Sequence, residues 1–284
     1  MDTFLIILTG ILVATCCALL GCFLILRKMS MVGDAISHSV LPGIVIAFFI
    51  AGSMQSVWML VGAGILGVLT TFLIEFFHQK GKLQTDASIG VTFTWLFALG
   101  VILVTYYAGN AHIDQDCILH GEIAYVPIDL VYTDSGAVLG PKAILILSVV
   151  LLLIISFILL FYKELFITTF DPSFAKAIGL STNTWHYLLM GLVSLTTVAS
   201  FESVGAILVV AFLVVPAATA YLLTQDLKHM LMLAVLFGIL SSVGGYYLSY
   251  WLNASIAGAM VTVSGLVFAI CYLYTTRLSP RRVP

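Results

Sequence analysis

Long apolar stretches alternate with short polar ones along the whole chain. The apolar windows fall at about 4–26, 31–51, 57–77, 88–108, 142–162, 184–201, 204–223, 230–251 and 255–276. Each is close to the roughly 20 helical residues that cross a hydrocarbon core of about 30 Å. The pattern predicts an all-α integral membrane protein, a multi-span helical bundle of about 8–9 transmembrane helices forming one transmembrane domain over 1–284. The first run, FLIILTGILVATCCALLGCFLIL at 4–26, has no basic residue before it and is longer than the apolar part of a secretory signal, about 7–15 residues, so it reads as a permanent span.

Composition sharpens this picture. The chain has 284 residues, 62% hydrophobic and 8% charged, against about 25% charged in an ordinary soluble domain. Its net charge of −2 leaves no basic stripe for phosphates, which argues against nucleic acid as a partner. Membrane lipid is the expected surroundings. The five cysteines include Cys16, Cys17, Cys22 and Cys271 inside apolar runs, with Cys117 outside them, and none forms a CxxC pair. They read as small core hydrophobes. The basic residues orient the spans: Arg27, Lys28, Lys80, Lys82, Lys163, Lys176, Lys228, Arg277, Arg281 and Arg282 share one side, and only Lys142 falls opposite. By the positive-inside rule the N-terminus is outside, the C-terminus cytoplasmic and the segment 109–141 extracytoplasmic. VGAGILG at 61–67 matches GxGxxG, but within a span its glycines point to close helix packing rather than to a dinucleotide.

Two interruptions stand out. In KELFITTFDPSFAKAIGLST, 163–182, Asp171 is placed to cap a helix that starts at Pro172, runs through Ser173, Phe174, Ala175, Lys176, Ala177 and Ile178, and stops at Gly179. A short capped helix is expected there on the cytoplasmic side. The segment NAHIDQDCILHGEIAYVPID, 110–129, holds His112, Asp114, Asp116, His120, Glu122 and Asp129, and reads as a loop, a short re-entrant helix or a gate.

The candidate chemistry lies in RKMSMVGDAISHSVLPG, 27–43. Asp34 and His38 are four apart, so in a helix they share a face one turn apart, below the surface on the cytoplasmic side of the second span. Ionisable side chains within a span normally face a cavity or the bundle interior. A carboxylate with an imidazole suits a borderline divalent metal, and two donors hold it weakly enough for it to leave. If this helix lay on the axis of a symmetric dimer, two Asp and two His would meet. The same pair also fits an internal hydrogen bond. Glu202, in SFESVGAILV, is either an entry-side ligand or an interfacial acid, while Glu75 and His78 are expected in water at a helix end. Pro216 inside a span predicts a kink. The chain has no HExxH, no GxSxG and no GxxxxGK[ST], so hydrolytic motifs and an ATP-binding loop of its own are missing. A gradient-driven carrier, a subunit of an ATP-driven transporter and an intramembrane enzyme using Asp34 and His38 remain open on the residues alone.

RKMSMVGDAISHSVLPGIVIAF (27–48), TDASIGVTFTWLFALGVIL (85–103), FDPSFAKAIGL (170–180) and VGAILVVAFLVVPAATA (204–220) resemble, in the family's order, the membrane permease subunits of bacterial ABC importers for zinc, manganese and iron. The resemblance runs over about 5–276. It implies a type II importer permease fold, similar to that of cobalamin and iron-siderophore importers. It also implies a second permease chain, two cytoplasmic ATP-binding subunits that use the ATP, and an extracytoplasmic metal-binding protein. No cofactor is expected to be held permanently. By the same resemblance Asp34 and His38 contact the metal, and residues 171–179 form the coupling helix on the ATP-binding subunit. Glu202, His120 and Glu122 are further candidate ligands. DQDCILHGEIAYVP and FESVGAILV are worded more like the manganese branch than the zinc or iron ones. The implied location is the bacterial cytoplasmic membrane.

Overall fold

With no water in a bilayer core, each backbone N–H and C=O must find its partner within the chain, and a helix supplies all of them. The computed structural model describes residues 2–51, 56–107, 122–132 and 138–278, and it is built accordingly. The helices are α1 Asp2–Leu26, α2 Val32–Ser39, α3 Leu41–Ala51, α4 Ser56–Gln79, α5 Thr85–Tyr107, α6 Lys142–Leu160, α7 Tyr162–Phe170, α8 Pro172–Ala177, α9 Thr182–Val204, α10 Ala206–Leu223, α11 Leu227–Leu252 and α12 Ile256–Leu278. A 3₁₀ turn at Ile123–Tyr125 and a two-stranded hairpin, β1 Leu130–Tyr132 and β2 Val138–Pro141, precede α6. Among the described residues nine helical segments are long and apolar enough to span a membrane, matching the nine apolar windows. Hydroxyls inside them are satisfied locally: Thr9 donates to the Leu5 carbonyl and Thr92 to that of Ser88.

The second window comes as two helices. The Val40 N–H still donates to the Ile36 carbonyl at 3.2 Å, and the Ile44 N–H to the Val40 carbonyl at 3.1 Å. Pro42, however, has no N–H to offer the His38 carbonyl four residues back. The helix is interrupted at Val40 for that reason.

The chain divides into two compact units that interleave along the sequence. The first comprises Met1–Ser30, His120–Leu160 and Ser200–Pro284. There α1 is the central element, packed against α6, α10 and α11, and α12 closes against α10 and α11. Gly21 lets α1 come so close to the Leu213 carbonyl of α10 that any Cβ would overlap it. Cys16, Cys17 and Cys22 are fully buried in this core, as small hydrophobes would be. Gly205, at φ +80°, makes the turn that separates α9 from α10. Pro216 lies buried inside α10.

The second unit comprises Met31–Leu119 and Phe161–Ala199. Here α2 and α3 pack on α4 and α5. The glycines of VGAGILG do what close packing requires: a Cβ on Gly62 would stand 2.6 Å from the Gly43 carbonyl, and one on Gly67 would overlap Ser194 Oγ. Gly64 is open. Phe161, before α7, and Trp185, four residues into α9, meet with ring centroids 5.0 Å apart and planes tilted by 56°, so the chain returns on itself around α7 and α8.

Candidate metal site

Asp34 and His38 both lie on α2, and their side chains meet as the spacing predicts. Asp34 Oδ1 and His38 Nε2 are 3.6 Å apart, too far for a hydrogen bond. An ion held about 2.1 Å from both atoms would see them about 120° apart, an angle ordinary coordination tolerates. The imidazole is 43% exposed and the carboxylate 35%, so the pair opens to one side of the unit. On the other side the His38 ring rests on Phe93 and Phe97, one turn apart on α5, with centroids 5.9 and 6.0 Å away and the Phe97 ring edge-on. Sequence reading passed over both rings, although their i, i+4 spacing in VTFTWLF places them on one face.

The pair's level along the spans differs from expectation. Phe93 and Phe97 follow Thr85, the first residue of α5, by roughly 12–18 Å of helix. Ile36, between the two candidates in sequence, meets Gly67, midway along α4. Asp34 and His38 thus stand level with the middle of their neighbours and not near one end. A hydroxyl contact fixes α2 there: Ser39 Oγ and Thr70 Oγ1 lie 2.7 Å apart, buried between α2 and α4.

The other candidates fall elsewhere. Glu202, in the last turn of α9, accepts a hydrogen bond from Lys142 Nζ at 2.7 Å. Lys142 is the first residue of α6, where its own N–H donates to the Asp129 carbonyl. Glu122 is exposed, and its carbonyl starts the 3₁₀ turn by accepting from the Tyr125 N–H. His120, like His112, Asp114 and Asp116, lies outside the described residues. Among the described residues no three of His, Cys, Asp and Glu gather around one point. His78 is exposed as expected. Glu75 is not: its side chain is 17% exposed and its Oε2 faces His186 Nε2 of α9 at 3.4 Å. That partner is far along the sequence, and nothing local announced it.

The short helix α8 matches its sequence closely. Asp171 Oδ1 accepts from the Phe174 N–H at 2.9 Å, and Pro172 fills the first helical position. At the other end the Leu180 N–H donates to the Ala175 carbonyl at 2.9 Å and the Gly179 N–H to that of Lys176 at 3.1 Å, a Schellman closure that needs the φ of +85° that Gly179 adopts. Ala175 faces inward, while Phe174 and Ile178 stay 52% and 50% exposed one turn apart.

A chain with so many helices of membrane-crossing length, and a capped helix between two of them, is a multi-pass membrane protein, and comparisons with known proteins give its family. The chain belongs to the ABC 3 transport family, whose model matches residues 3–275. It is 51% identical over 270 residues to the manganese transport system membrane protein MntD of Bacillus subtilis (strain 168), covering 95% of this chain and 91% of that one. It is 42% identical over 272 residues to the zinc transport system membrane protein TroD of Treponema pallidum (strain Nichols), covering 96% and 74%. Among solved structures it is similar to a chain of PsaBC from Streptococcus pneumoniae in complex with Fab, with a TM-score of 0.76 and 36% identity, covering 94% of this chain and 90% of that one.

Proposed function

We propose that this chain is the permease subunit of an ATP-driven importer of divalent metal ions, with manganese as cargo. The observation that carries the reading is the Asp34–His38 pair, a hard carboxylate and an imidazole 3.6 Å apart within a membrane-spanning segment. The 51% identity to a manganese transport membrane protein supports manganese. Zinc is the second reading, favoured by the 42% identity to a zinc transport membrane protein and by zinc's own acceptance of both donors. Two permease chains would bring two Asp and two His to one ion. An ATP-binding subunit would dock on Asp171–Gly179, with Phe174 and Ile178 as the apolar contact. An extracytoplasmic metal-binding protein would deliver the ion to the side bearing the hairpin, in a cell membrane where the N-terminus is outside and the C-terminus cytoplasmic.

The test is elemental mass spectrometry of cells lacking their own importers and supplied with this chain, its ATP-binding subunit and its binding protein. Manganese should rise with the wild type, and Asp34→Ala or His38→Ala should cut the rise at least about tenfold at unchanged protein level, since even outer-shell groups change metal affinity about 10–100-fold. Variants that accumulate metal like the wild type would show Asp34 and His38 to be structural, and the ligands would then be sought at Glu202, His120 and Glu122. A rise in zinc or iron instead would reassign the cargo.

A further inference from the structure

Glu75 of α4 and His186 of α9 form the second carboxylate–imidazole pair of the same unit, with 17% and 15% of their side chains exposed. Two ionisable groups largely withdrawn from water lose hydration that their mutual attraction only partly restores, and apolar side chains of similar volume would often serve stability as well or better. Their presence in so apolar a chain asks for a role beyond holding two helices together.

The pair is placed away from the candidate ion route. Asp34 and His38 turn toward α5, where Phe93 and Phe97 meet the imidazole. Ile36, two residues from each and so about 200° around the helix, turns the other way and meets Gly67 of α4 beside Ser194 of α9. Glu75 and His186 lie on that second side.

Each helix of the pair is tied to one end of the proposed machinery. On one side α9 follows α8 after Ile178, Gly179, Leu180 and Ser181, and Ser181 Oγ accepts from the Thr184 N–H to start α9. Trp185 locks that start to Phe161 at the entry of α7. On the other side α4 holds α2 through Gly67 against Ile36 and through the Thr70–Ser39 hydroxyl contact. Between α4 and α9 the chain makes localised contacts: Ser194 on Gly64 and Gly67, Phe72 against Tyr187, and Glu75 against His186. Beside these contacts an apolar cleft is lined by Val61, Gly64, Ile65, Val68, Gly191 and Leu195. A displacement of α8 would pass into the start of α9, where the Glu75–His186 pair is a polar contact with α4.

We propose that Glu75 and His186 are positioning residues that gear the coupling helix to α2, and so to Asp34 and His38. The proposal rests on the importer reading. Energetic coupling between sites is established by measuring it and not by adjacency, so the experiment measures coupling directly. The complete importer, with its ATP-binding subunit and binding protein, is reconstituted in liposomes, and manganese uptake and ATP hydrolysis are followed together. Glu75→Gln and His186→Gln should keep ATP hydrolysis within about twofold of wild type while the manganese moved per ATP falls at least about tenfold. His186→Lys, which still presents a hydrogen-bond donor to Glu75, should hold that ratio within about twofold. Gln variants with the wild-type ratio, or with hydrolysis and uptake falling in step, would overturn the joint. If one Gln variant does not assemble, the other decides by the same criterion. A wild-type complex with no ATP-dependent uptake would overturn the importer reading itself, whereas coupled wild type with equally coupled variants removes the joint alone.

Discussion

If His38 is a metal ligand, its imidazole has to keep Nε2 toward Asp34 and leave its open edge reachable, and the rings of Phe93 and Phe97 that pack against it are placed to do the first. Aromatic contacts of this kind contribute about 0.5–1.5 kcal/mol beyond area burial. Phe97→Ala should therefore raise the manganese concentration for half-maximal uptake by about two- to tenfold, with the maximal rate little changed, and Phe97→Leu should do less. Uptake kinetics of the reconstituted importer check this, and an unchanged half-saturation would remove the ring from any part in orienting the imidazole. At this scale the sequence showed what depends on neighbours along one helix. Asp34 and His38 could be placed on a shared face from their spacing alone, but their level along the spans could not, because it depends on how α2 packs against α4 and α5. Glu75 was read as solvated for a related reason: its partner, His186, is brought to it by the packing of a helix on the far side of α8.

Among the elements, α8 was the most legible, since both of its ends are closed by residues within the segment itself. Asp171 supplies the acceptor at one end, and Gly179 supplies the left-handed backbone at the other. Removing the acceptor with Asp171→Ala should cost about 1 kcal/mol of local stability, and Gly179→Ala about 1–2 kcal/mol for a side chain forced to positive φ. Both should reduce recovery of the ATP-binding subunit on co-purification, while Asp171→Ser, which keeps a capping oxygen, should retain it. Equal recovery from all three would dissociate the caps from docking. The second span was less legible. Its apolar run looks continuous, and only Pro42, by withholding an N–H from the His38 carbonyl, divides it into α2 and α3.

For the molecule as a whole, apolar run length was enough to predict the spans, because each has to match a membrane and the match is local. The division into two interleaved units was not visible, since Met31–Leu119 and Phe161–Ala199 belong together only through contacts such as Gly67 on Ser194. That contact can be tested against its neighbour. Gly67→Leu must overpack a closed site, at about 1–3 kcal/mol, and should lower both the thermal midpoint in detergent and uptake. Gly64→Leu, where a Cβ meets nothing within 4 Å, should leave the midpoint unchanged. An equal loss at both positions would mean that the small-residue stripe, and not the one close approach, sets the unit's stability. The capped helix bears on the whole assembly as well. Six residues are too few to hold a helix in water by propensity, since nucleation is unfavourable, yet Pro172–Ala177 is closed at both ends by its own chain. A partner binding it would find the shape already made and would lose little backbone entropy in the act. More of the contact energy then survives as affinity, so a modest interface on Phe174 and Ile178 could keep an ATP-binding subunit attached through repeated cycles.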